Sequence, residues 1–559
     1  MESLVRWQVL IAFSGIVLVG AFLFSYALGR TTVLVPAEGG VYIEGVAGVP
    51  QHLNPLLAAY NQVDQDLVAL IFNGLTRLNA QGEAEPDLAS SWTAAPDGLT
   101  YLFRLRQDVR WADGDRFDAD DVLFTVQLLQ APDSPVPPDL AALWRTIQVE
   151  KIDPYTVRFR LEQPFPAFLD YTSIGLLPYH ILQGVPIQEL PTHSFNTYPV
   201  GTGPFMVAEI STRRARLVPN PRHFARKRPY LEALELHFYP SYEHLPAAYE
   251  RGDILGLSYV PPYLFPEITR FPELNLYSAR TSGFYLVYLN LQDDERSSFF
   301  QDVRVRRALL YGLDRQLLID QALHGQGIVA DGPIRAWSWA YAADVPTLPY
   351  DLVRAEQLLD EARWVDSDGD GVRDKKGKAL RFTLACSEDP DHVALAQALA
   401  QQWAALEVAV EVETLAGGLA ERLRAHDFQA ALAEVVISGD PDPYPMWDQT
   451  QIEQGQNYGG WDNSEASRLL AEARRTMDRE ERKALYAEFQ RIFAEELPAL
   501  ILADAVYTYA VDASVRQVQL APLMAPADRF RTVTDWYINT RRVIVAEKTR
   551  RFGGLGFSP

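Results

Sequence analysis

The chain has 559 residues, 48% hydrophobic and 22% charged, so it is globular and long enough for two or three packed units. Its 51 basic and 73 acidic side chains give a formal charge of −22, which repels polyanions and leaves no nucleic-acid partner expected. Cys386 is the one cysteine, which excludes an internal disulfide, a cysteine metal cluster and a lipidated cysteine after the leader; a buried structural thiol is its expected role.

From the N-terminus, the uncharged run WQVLIAFSGIVLVGAFLFSYALG fills the 23 positions between Arg6 and Arg30. As a helix that length crosses a hydrocarbon core of roughly 30 Å. The expectation is a retained anchor holding the rest of the chain outside the cytoplasm. The alternative is a signal peptide cleaved at the small-x-small site Ser25-Tyr26-Ala27, with the protein secreted. After a linker, VYIEGV (41–46) alternates as a strand should, and residues 62–72 carry helical spacing. Residues 101–129 read as a strand, a tight turn at Asp113-Gly114 and a helix. Asp118 is its predicted N-cap, with Asp120 and Asp121 near the positive end of the helix dipole.

At 198–205 the chain reads YPVGTGPF. A phosphate loop would place a helix N-terminus after the glycines, but Pro204 closes the loop and FMVAEI continues extended, so the segment is a turn. Further on, 302–323 reads as an amphipathic helix with a break at Gly312. In 351–362, capped by Asp351, one face carries Ala355, Leu358, Leu359 and Ala362. In 478–495 one face carries Leu485, Phe489, Ile492 and Phe493, and the helix stops before Pro498. Strand-like runs at 284–291 and 408–415 separate these helices, giving an α/β chain without a fixed repeat. The basic cluster Arg541, Arg542, Lys548, Arg550 and Arg551 is expected to be solvated.

The run VDSDGDGVRDKKGK (365–378) sets Asp366, Asp368, Asp370 and Asp374 in a frame like that of calcium loops. The twelfth position, where a bidentate glutamate belongs, is Gly377, so the run is read as a polar loop and calcium is the weaker alternative. G-x-S-x-G, H-E-x-x-H and the lysine-bearing phosphate loop are absent, and the nine histidines are scattered. No enzyme and no cofactor are expected. A glycan hydrolase using two carboxylates is the remote alternative, with no spacing in its favour. Aromatic residues do stand beside carboxylates in irregular stretches: Trp337, Trp339 and Tyr341 in RAWSWAY (335–341), and Asp440, Asp442, Tyr444 and Trp447 in SGDPDPYPMW (438–447). Large rings in loops cover either a core or a ligand, and rings with a fixed carboxylate would suit a ligand carrying an amine.

Taken in order, GLTRLNAQGEAEPDLASSW (74–92), FRLRQDVRWADGDRFDADDVLFT (103–125), PVGTGPF (199–205), VRRALLYGLDRQLL (305–318), YDLVRAEQLLDEARW (350–364), GDPDP (439–443) and NSEASRLLAEARRTMDREERKALYAEFQ (463–490) resemble the peptide- and nickel-type extracellular solute-binding proteins of ABC transporters. The likeness runs from about residue 36 to about 545. It implies a two-lobed periplasmic-binding-protein-like α/β fold with a small inserted domain. Lobe I would comprise 36–77, 195–284 and 506–545, with 78–194 inserted and 285–505 forming lobe II; 1–35 is the anchor and linker, and 546–559 a tail. PVGTGPF would mark the return from the inserted domain.

The resemblance further implies a monomer that captures oligopeptides between its lobes and hands them to permease subunits. Oligosaccharide, nickel complex and haem are alternative ligands. An aspartate in the segment matching GDPDP would hold the peptide amino group, which points to Asp440 or, if the alignment slips, Asp442. The cleft lining implied by the family adds Trp339, Tyr341, Phe284, Tyr285 and Asn54. Arg363 departs from the pattern, standing where the family usually ends its helix with glycine, so a different helix end is expected there.

Overall fold

The structure is a computed structural model, which describes residue 7 and residues 13–23, 32–225, 229–292, 296–437 and 439–544. Of the run predicted to cross a membrane, Trp7 and residues 13–23 are helical with exposed side chains, and the remainder lies outside the described residues. Among the described residues no helix is long and apolar enough to cross a membrane. Of the C-terminal basic cluster, Arg541 and Arg542 pair with Val35 and Leu34 in a two-stranded edge, and Lys548, Arg550 and Arg551 lie outside the described residues.

Among the described residues an 11-stranded mixed sheet joins the two halves of the molecule. Its two long strands, Leu274–Leu289 and Ala499–Asp512, pair antiparallel along their length and so belong to both halves. On one side lie Gly256–Leu257, Val41–Ala47, Ala233–Tyr239, Arg214–Pro219 and Phe205–Ile210; on the other lie Ala430–Val436, Arg381–Ser387 and Ala409–Leu415; the eleventh, Gly327–Val329, pairs with Ala499–Asp512 off this path. Register between the long strands is lost between Arg280 and Phe284 and again between Tyr285 and Leu286. Irregularities of this kind bend a strand and re-aim its side chains, and here they fall where the two halves meet.

The run FYLVYLNL has no polar face because both sides of its strand are covered. Tyr285, Val287 and Leu289 enter one core, with Phe382, Leu384 and Trp403, while Phe284, Leu286 and Tyr288 enter a second, with Trp447, Phe489 and Phe493. The period of two is still present, but both faces are apolar. Cys386 is a free, buried thiol in the first of these cores, and burial raises its pKa. The segment expected as an inserted domain holds a four-stranded antiparallel sheet formed by Ala89–Ala94, Thr100–Leu105, Thr156–Leu161 and Ile147–Asp153. Its apolar residues join those of Val41–Ala47 and the 205–236 strands in one continuous core.

The helix Ala119–Gln130 is capped as its sequence predicts: the Asp118 side chain accepts from the Asp120 N–H while Asp121 accepts from the Asp118 N–H. The stretch 302–323 forms two helices, Val303–Tyr311 and Arg315–Ala322, broken at Gly312. In PVGTGPF, a Cβ at Gly201 would lie 1.9 Å from the Ile71 carbonyl oxygen, and the Gly203 N–H donates to that same oxygen at 2.7 Å. The glycines let this turn press against the end of helix Gln62–Ile71. Arg363 does not change its helix end. It takes φ 64°, its N–H donates to the Asp360 carbonyl and that of Trp364 to the Leu359 carbonyl, the Schellman pattern that a glycine would make without strain.

Candidate ligand-binding site

A cavity of about 310 Å³ lies where the two halves of the sheet meet. Tyr242, Tyr259 and Arg529 face it from one half, Glu434 from the other, and Tyr285 and Tyr507 from the two long strands common to both. The aromatic wall is ordered by ring contacts: Tyr259 stacks on Tyr507 at 5.1 Å, and Tyr242 meets Tyr259 edge-on at 5.4 Å. The Tyr507 hydroxyl donates to the Ser258 carbonyl, which fixes the ring.

Beneath the wall sits a buried charge network. The Arg529 guanidinium, 1% exposed, donates to Glu44 at 3.0 and 2.7 Å and to Asp66 at 2.8 and 2.5 Å. Glu44 also accepts from the Tyr42 and Tyr509 hydroxyls at 2.9 and 2.5 Å, so the buried carboxylates are multiply bonded, as burial demands. Two carboxylates neutralise the one guanidinium that lines the cavity, so this side contributes no free positive charge.

The opposite side adds negative charge. Glu434 projects from strand Ala430–Val436 directly across from Tyr285 on the neighbouring strand. Its side chain is exposed where it lines the cavity. Burial, and after it the negative charge of Asp389, hold its carboxyl up at about 7. Asp391, whose carboxylate accepts the Tyr263 N–H from the other half at 2.9 Å, is likewise raised to about 7 by burial and Asp389. The cavity is therefore aromatic and acidic, suited to a ligand with a cationic group and apolar surface.

Of the residues that the sequence singles out, Tyr285 alone lines this cavity. Asp440 is held by Arg482 in a two-point ion pair at 2.6 and 2.9 Å, and its N–H donates to Asp170 at 2.7 Å. Asp442 accepts the Tyr444 N–H and stands 3.4 Å from the Arg474 guanidinium; burial still lifts its carboxyl to about 6. Both aspartates line a separate cavity of about 390 Å³ against Phe165, Asp170 and Tyr171 of the 78–194 segment. Tyr444 lies under the Arg474 guanidinium, 4.6 Å from ring centre to charge. Trp447 is 1% exposed and packs on Phe493 at 4.9 Å, a core residue. Trp339 packs on Tyr486 beneath Arg479 and Arg482, and Tyr341 packs against the same core. Phe284 is fully buried under the Arg335 guanidinium at 3.8 Å, and Asn54 is fully buried in hydrogen bonds with Asn196 and the Leu56 N–H.

In the aspartate-rich loop, Asp366, Asp368 and Asp374 bring carboxylate oxygens within 4.8 Å of one another, and Asp370 stays outside that group. Asp366 accepts the Gly369 and Gly371 N–H groups and Asp374 accepts from Ser367, so the carboxylates already organise the turn.

Sequence reasoning missed Glu434, Glu44, Asp66, Arg529 and Tyr259. A signal existed for two of them: Glu434 interrupts the apolar run AALAEVV, and Glu44 interrupts VYIEGVA. An acid in a strand buried on both faces needs a partner or a use. No local feature marks Arg529, which meets Glu44 only across 485 positions of chain.

The sequence model described as bacterial extracellular solute-binding proteins, family 5 Middle, matches residues 83–458. The chain is 31% identical over 479 residues to the oligopeptide-binding protein AppA of Bacillus subtilis, covering 84% of this chain and 86% of that protein. It is 25% identical over 537 residues to the dipeptide-binding protein of Escherichia coli, covering 90% and 96%. Among solved structures, that of AppA from Bacillus subtilis with a nonapeptide superposes with a TM-score of 0.73 at 28% identity, covering 90% of this chain and all of that one. NikZ of Campylobacter jejuni with Ni(L-His) gives 0.74 at 28% identity, covering 89% and 99%. With two α/β lobes joined through one sheet and a match over most of its length, the chain belongs to family 5 of the bacterial extracellular solute-binding proteins.

Proposed function

We propose that the protein binds oligopeptides outside the cytoplasm, in the cavity between its lobes, and presents them to the permease of an ABC transporter for import. The observation that carries this reading is the cavity itself, walled by tyrosines from both halves and bearing net negative charge, in a chain similar over most of its length to oligopeptide- and dipeptide-binding proteins. Tyrosine rings give contact to varied side chains at low entropic cost, and an acidic wall complements a peptide's ammonium. The lobes meet along the two long strands, so ligand capture is closure about their register breaks. The uncharged run 7–29 would hold the protein, as a monomer, at the outer face of the membrane. The function is binding without turnover. Asp440 and Asp442, fixed by arginines at the edge of lobe II, serve closure against the 78–194 segment rather than the ligand.

Thermal unfolding of the full-length protein, stripped of ligand by denaturation and refolding, tests the reading. Peptides of two to nine residues should raise the midpoint, since a ligand at a hundred times its Kd adds about 2.7 kcal/mol to the folded state. A rise with oligosaccharide, Ni(L-His) or haem and none with peptides would overturn the choice of ligand.

A further inference from the structure

Glu434 is the one acidic group lining the cavity that the protein leaves without a counter-charge. Among the described residues it makes no hydrogen bond and no ion pair, whereas Asp66, the other carboxylate in the lining, is bound to Arg529. Among the described residues the one cation in the lining, Arg529, is already taken by Glu44 and Asp66. Tyr285 stands opposite Glu434 on the adjacent strand, Tyr259 faces it from the other lobe, and Asp389 and Asp391 approach from the N-terminus of helix Pro390–Ala404. Once a ligand closes the cavity from water, an anion without a counter-charge becomes costly unless the ligand itself brings the positive group. The rings around it attract the same kind of group, since the π-face of tyrosine favours a cation within about 6 Å. Asp440, by contrast, already has its arginine.

We propose that Glu434, with the rings of Tyr259 and Tyr285, receives the cationic group of the ligand, an ammonium or guanidinium, and thereby selects basic ligands. This rests on the reading of the cavity as a peptide site. The cation can come from a free α-amino group or from a lysine or arginine side chain, and both have the same chemistry at the carboxylate. The raised proton affinity of Glu434 agrees with the proposal, because it is what a carboxyl with no counter-charge and with Asp389 near it shows before a cation reaches it.

Isothermal titration at pH 8 separates these ideas, using the full-length ligand-stripped protein and its Glu434→Gln and Glu434→Asp variants. The probes are trialanine, N-acetyl-trialanine, N-acetyl-Ala-Lys-Ala and agmatine. Glu434→Gln should weaken the cationic probes at least tenfold, leave N-acetyl-trialanine within twofold, and Glu434→Asp should restore the preference. Whether acetylation or loss of lysine removes the affinity identifies which cation the site uses. Peptides bound equally well by wild type and Glu434→Gln would overturn the role of Glu434 and leave the peptide reading standing. Glu434-dependent agmatine binding with no peptide binding would do the reverse. Absence of binding by every cationic probe would overturn the proposal outright. Should Glu434→Gln fail to fold, Tyr259→Leu takes its place, with a several-fold loss expected for the cationic probes alone.

Discussion

Replacing Asp440 by asparagine distinguishes a structural ion pair from a ligand anchor. Arg482, with 6% of its side chain exposed, donates two hydrogen bonds to Asp440, which keeps 13%; its Nε and Nη2 also donate to the Ala473 carbonyl and the Tyr486 hydroxyl. Charge-assisted bonds of this kind contribute about 1.5–3 kcal/mol each. Asparagine keeps one acceptor, loses the charge and leaves a buried guanidinium half-satisfied. Breaking a buried pair costs roughly 3–5 kcal/mol, and the residual exposure of Asp440 puts the expected loss near the lower end, at about 3 kcal/mol. Urea unfolding followed by tryptophan fluorescence should show that loss, while peptides still raise the midpoint of the variant. A variant within about 0.5 kcal/mol of wild type that no longer responds to peptide would refute the reasoning and place Asp440 in the binding site.

Acidity should act on the ligand-free protein through three carboxyls held up at about 7 by burial: Glu434, Asp391 and Asp170. Each binds its proton more tightly folded than unfolded, so its contribution is complete below the unfolded value of about 4 and is lost as pH rises through 7. Glu434→Gln should flatten part of this decline and stabilise the empty protein at pH 8 by of order 1 kcal/mol, discounted for the cavity water that touches the side chain. Equal pH profiles for wild type and variant would count against it. Gly201→Ala must push a Cβ into the Ile71 carbonyl, now 1.9 Å from that position, and should cost about 3 kcal/mol or more by chemical denaturation; a neutral result would mean the turn does not press on the helix end. Arg363→Gly relieves a left-handed residue worth about 1–2 kcal/mol of strain, partly offset by the freer unfolded chain, and should raise stability by several tenths of a kcal/mol; a loss would show that the Arg363 side chain matters more than its backbone.

Local physics made much of the chain legible. The capping box at Asp118, the break at Gly312 and the helix Arg479–Glu496 ending at Leu497 before Pro498 all follow from interactions within a few residues. So do the alternating strands at 41–47 and 409–415. The ordered motifs, resting on the same local residues, pointed to the family that the matched sequence and the solved structures show.

Tertiary structure decided what those residues meet. A tryptophan in a loop satisfies the same local rules whether it meets ligand or core, and Trp447 meets Phe493. An aspartate in a turn looks unpaired by its local sequence, and Arg482 pairs with Asp440 across 42 positions. Arg529 completes a site begun at Glu44, and Tyr259 reaches Tyr507 from a separate loop; no spacing along the chain encodes either meeting. The sequence thus determined elements, their ends and the family, because these depend on near neighbours and on ordered local patterns. Which carboxylate is left unpaired in the cavity depends on which charges the fold brings together, and only the assembled lobes identify Glu434.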